Sequence, residues 1–66
     1  MSCISFKTFC IELYADRKSM PGYEVFNLFK QNGILAMLDE DYELLHGHGF
    51  EYVLNDIDQI LGNGGV

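Results

Sequence analysis

Phe50, Val53, Leu54, Ile57, Ile60 and Leu61 recur at three- and four-residue spacing, with Glu51, Asn55, Asp56, Asp58 and Gln59 filling the opposite side. That pattern draws one apolar stripe along a helix and fits no strand, whose faces alternate every second residue. It predicts a last helix over residues 50–61 that must bury its stripe against the rest of the chain.

The same reading extends backward. Phe6, Phe9, Cys10, Leu13 and Tyr14 form a stripe that predicts a first helix over 2–17, widened by Ile4 or Ile11. Arg17 and Lys18 then suit its negative C-terminal end. Proline fits a first helical turn, so a second helix is expected over 21–31, with Val25, Phe26 and Phe29 inward and Ser19 as a possible cap. Asn32-Gly33 reads as a stop. A short helix over 34–38 and another over 39–45 follow, or a single kinked one, with Asp39-Glu40-Asp41 as an acidic N-terminal cluster and Tyr42 and Leu45 facing inward. No useful run alternates like a strand. The expected fold is all-α: a compact bundle of four or five short helices over 1–61, followed by a flexible Gly-rich tail over 62–66.

Sixty-six residues make one domain with a small core. An apolar content of 48% lifts the chain out of the disordered class. Cys3 and Cys10, on one helix, would hold their Cα atoms about 10.5 Å apart at helical rise. A disulfide needs less than about 7 Å, so both are expected as free thiols in the core, which fits a reducing compartment. No apolar run approaches a membrane span and no secretory leader is read, so the expectation is a cytoplasmic protein without a membrane partner.

The net charge is −6, with all four cations in the first thirty residues and seven acids beyond them. An acidic protein of this kind is a poor ligand for phosphates, so nucleic acid is not an expected partner. A basic protein is a better one, and a second copy of the chain would also enlarge so small a core.

His46-Gly47-His48-Gly49 is the segment with most chemical potential. Two imidazoles with Asp39, Asp41, Glu51 or a cysteine would approach a zinc site, but zinc needs at least three protein ligands and no spacing fixes a third. A Cys10–His nucleophile pair would need an exposed thiol in an electropositive setting, whereas Cys10 falls mid-stripe. Asp39-Glu40-Asp41 lacks the alternation and glycine of a calcium loop, and no Gly-Lys-Ser/Thr phosphate loop is present. The glycines more simply let one helix end and the next begin. No catalytic, cofactor or metal residue is therefore assigned. His46, His48 and Glu51 stand as a candidate functional loop, with His46 expected to be partly buried and hydrogen-bonded and His48 solvated.

Phe9-Cys10-Ile11-Glu12-Leu13-Tyr14, Gly22-Tyr23-Glu24-Val25-Phe26-Asn27-Leu28-Phe29 and Gly33-Ile34-Leu35 come in a recognisable order. Tyr42-Glu43-Leu44-Leu45-His46, Gly49, Glu51-Tyr52-Val53 and Asp56-Ile57 continue it. The series resembles the family of small bacterial proteins of unknown function numbered thirty-seven ninety-one. His46 matches a recurrent Leu-His pair of that family, His48 a variable position, and Pro21 stands where Ser or Thr is common. The resemblance implies a bacterial, mostly helical, non-enzymatic protein, with members encoded near an ADP-ribosyltransferase-like protein. The expected function is a non-catalytic protein-interaction module, an antitoxin-like partner of a neighbouring enzyme. The alternative is a small metal-dependent or thiol enzyme using the His46/His48 loop.

Overall fold

A computed structural model describes residues 2–62. Five helices follow one another: α1 (Cys3–Lys18), α2 (Gly22–Gln31), α3 (Ile34–Glu40), α4 (Tyr42–His46) and α5 (Phe50–Ile60). The described residues contain no strand, so the fold is the all-α bundle that the periodicities predict. Residues 63–66, most of the expected tail, lie outside the described residues.

Local chemistry sets the boundaries. Ser2 caps α1, its hydroxyl accepting from the Ser5 N–H at 3.1 Å. Ser19 closes that helix with a left-handed φ of 55°, and the Met20 N–H returns to the Ala15 carbonyl at 2.9 Å. Ser19 therefore ends α1 and does not cap α2, correcting the expectation. Pro21 is itself the N-cap of α2: its ψ of 148° is extended, and its carbonyl accepts from Glu24 and Val25. Gly33, at φ 74°, provides the left-handed turn into α3.

Asp39 and Glu40 do not open a helix; they finish α3. Asp41 is the hinge. Its N–H bonds the Met37 carbonyl and its own carbonyl accepts from Leu45, both at 2.8 Å, so it serves the end of α3 and the start of α4. The acidic run is thus split by a kink rather than gathered at one N-terminus.

The core takes Phe6, Cys10 and Tyr14 from α1, Val25 and Phe29 from α2, and Ile34 and Leu38 from α3. Leu45 comes from α4, and Val53, Leu54 and Ile57 from α5. Phe6 ties the layers together: Tyr42 meets it edge-on at 5.3 Å and Phe50 stacks on it at 5.7 Å. Full burial of a Val, Leu, Ile or Phe side chain contributes about 1.5–3 kcal/mol, and nine of the core residues are of these types.

The stripes are narrower than expected. Phe9 (45% exposed), Leu13 (37%), Phe26 (44%) and Ile60 (45%) lie at stripe edges. Short helices in a small bundle have too few neighbours to cover both flanks of a stripe. Ile11 is half-buried, whereas Ile4 faces outward. Among the described residues no helix is long and apolar enough to cross a membrane.

Candidate functional site

The histidine loop joins α4 to α5. Gly47 keeps a helical φ of −79°, while Gly49 adopts φ 86° and ψ 160°, the conformation that turns the chain into α5. Only one of the two glycines is therefore needed for its backbone freedom.

His46 is exposed, against the expectation of partial burial, because α4 is one short turn with its outer side open to solvent. Its hydrogen bond is present. Nδ1 lies 3.0 Å from the Tyr42 carbonyl one turn back, and since a carbonyl only accepts, the proton sits on Nδ1. The ring also stacks on Tyr42 at 4.6 Å. His48 is exposed as expected and stacks on Tyr52, likewise at 4.6 Å. Glu51 turns away to Arg17, with a 2.8 Å ion pair. The three residues of the candidate loop thus face three different neighbours. Among the described residues, no group of three or more His, Cys, Asp or Glu side chains is placed to hold a metal ion.

Neither cysteine offers a ready nucleophile. Cys10 is fully buried, and burial pushes its thiol up to about 12. Cys3 does not point into the core. It is half-buried and donates to Asp39 Oδ1 at 3.0 Å, a bond that raises its pKa by favouring the thiol beside a carboxylate. Lys7 Nζ reaches the same oxygen at 2.9 Å. That ion pair, with the Cys3 bond behind it, holds the Asp39 carboxyl below the usual range.

A second polar cluster fastens the C-terminal part of α1 to α5. The Tyr14 hydroxyl donates to Asp58 Oδ1 at 2.7 Å, and Lys18 Nζ lies 3.0 Å from that oxygen. Arg17 donates to Asn55 Oδ1 at 3.0 Å and pairs with Glu51; its 3.9 Å approach to Asp58 is a weaker contact. Sequence reading missed both clusters, since Lys7–Asp39 and Tyr14–Asp58 join residues far apart in the chain. The one local signal was that Lys7 and Lys18 flank the first stripe.

The outer side of α5 carries a shallow depression of about 210 Å³ lined by Tyr52, Asn55, Asp56 and Gln59. One helix supplies all four residues, and the volume falls below the roughly 300 Å³ at which small-molecule pockets begin.

A compact helical bundle with a solvent-exposed histidine loop is the class that the geometry defines. The family model described as protein of unknown function (DUF3791) matches residues 5–63, and the chain belongs to that family. No curated protein and no solved structure gives a match.

Proposed function

We propose that this is a non-catalytic protein-interaction module of the bacterial cytoplasm, working through its surface. The observation that carries the reading is the exposed apolar pair Phe9 and Leu13 on α1, continuous with Phe50 of α5 through a 5.9 Å ring contact. Exposed apolar side chains grouped beside charged ones are what partner surfaces present. A neighbouring ADP-ribosyltransferase-like enzyme, neutralised by binding, is the partner that the family resemblance offers.

The alternative is a metal- or thiol-dependent enzyme at the His46/His48 loop. It draws less support: each ring lies on its own tyrosine, and Cys10 is sealed in the core with its thiol pushed up to about 12.

The test is purification of the tagged protein from its native cell, followed by size-exclusion chromatography and mass spectrometry. A stoichiometric protein that co-elutes with it supports the interaction reading. Elution of the folded chain alone, at native abundance, overturns it.

A further inference from the structure

Three of the four cations are already engaged: Lys7 with Asp39, Arg17 with Glu51 and Lys18 with Asp58. Glu12 and Asp16, both exposed, hold no ion pair among the described residues. Their position is specific. On a helix, residues four apart stack in a row and residues three apart sit in neighbouring rows. Phe6 and Cys10 form the buried row of α1, Phe9 and Leu13 the next row outward, and Glu12 and Asp16 the one after that. Phe50 backs the apolar row from α5. An apolar ridge is therefore edged on its solvent side by two unpaired carboxylates.

We propose that this strip docks a basic amphipathic helix of a partner protein, one that places apolar side chains at three- and four-residue spacing on Phe9 and Leu13 and Lys or Arg against Glu12 and Asp16. The inference rests on the interaction-module reading and deepens it. Apolar contact supplies the attraction, and the carboxylates select the sign of the partner. A second copy of the chain is a poorer occupant, because an antiparallel two-fold contact through one strip sets the same acids against each other and a parallel one leaves them without a cation. Among the other exposed apolar residues, Ile4 lies apart from the ridge on α1, and Tyr23 and Phe26 share α2 with Lys30, a cation without an ion pair among the described residues.

The experiment titrates the full chain into a labelled synthetic Leu/Lys amphipathic helix of about five turns and reads fluorescence anisotropy. Ser/Lys and Leu/Glu peptides serve as controls. The Leu/Lys helix binds, the controls bind far less, and added salt weakens the complex. Glu12→Lys with Asp16→Lys lowers affinity by about tenfold or more, while Glu43→Lys with Asp56→Lys, an equal change of charge, moves it less than about twofold. Phe9→Ser with Leu13→Ser gives a similar loss, with circular dichroism confirming the fold. Equal losses from the two charge-reversal pairs overturn the proposal, as does equal binding of the Ser/Lys peptide. A chain that dimerises through Phe9 and Leu13 also overturns it. A native partner that the Glu12→Lys/Asp16→Lys variant still retains sinks this surface and leaves the interaction-module reading standing.

Discussion

The hydroxyl of Tyr14 donates a 2.7 Å hydrogen bond to Oδ1 of Asp58, closing α1 onto α5 across forty-four positions of sequence. The Tyr14 ring is buried against Phe29 while its oxygen reaches the polar rim. One side chain thus serves the core and the clasp. Tyr14→Phe keeps the ring and removes the bond, and Lys18 remains to hold Asp58. The expected loss is about 1–2 kcal/mol, read as a lower urea midpoint with an unchanged slope.

Acid weakens the fold through two carboxylates. The bond from Tyr14, reinforced by Lys18, holds the Asp58 carboxyl below its ordinary value of 3.8, and Lys7 does the same for Asp39. A depressed folded-state pKa gives stability that is present above the unfolded value and lost as pH falls through the folded one. The melting temperature is therefore expected to fall below about pH 4. Asp58→Asn should flatten that fall.

Alkali acts with the opposite sign. Burial raises the Cys10 thiol from 9.0 and the Tyr14 phenol from 10.0, each to about 12, the latter with help from Asp58. Both groups favour the folded state below their unfolded pKa values, and that advantage disappears as pH rises from 9.0 towards about 12. Thermal melts across this range should show destabilisation beginning near the thiol value. Cys10→Ala should delay the onset despite starting from a less stable protein.

Thiol labelling separates the two cysteines. In native buffer, Cys3 reacts slowly, because it is half-buried and hydrogen-bonded to Asp39, and Cys10 does not react. In denaturant both react at once. Rapid labelling of Cys10 in the native protein would mean that α1 opens far more readily than its packing implies.

The two loop glycines should part company on substitution. Gly49 holds φ 86° with ψ 160°, a region essentially closed to other residues, so Gly49→Ala costs about 1–3 kcal/mol. Gly47 has a helical backbone, and an added Cβ meets the Leu44 and Glu43 carbonyls at ordinary distances of 3.7 and 3.8 Å. Gly47→Ala should stay within about 0.5 kcal/mol. Chemical denaturation of both variants decides it.

Much of the architecture was legible because helices are written locally. Phe6, Cys10 and Tyr14 lie four residues apart, and the structure buries all three. Periodicity gives a residue's direction around its own axis, however, and not which neighbour arrives to cover it. Phe9 and Leu13 therefore passed for core and turned out to edge it. Asp39 illustrates the same limit among charges. Its acidic neighbours made it look like part of a helix start, and only the folded chain brings Lys7 and Cys3 to its carboxylate. His46 was readable as hydrogen-bonded, while its partner, the Tyr42 carbonyl, and its exposure emerge only from the fold around α4.

The pairing of the first helix with the last has a consequence for synthesis. Phe6 and Tyr14 are made before Phe50 and Asp58, which complete their surroundings. Contacts this distant in sequence form only after the intervening chain exists. A ribosome-bound fragment that stops before α5 leaves its aromatic stripe bare, a form open to proteases and chaperones. The fold is thus complete only once α5 has been made and has docked on α1.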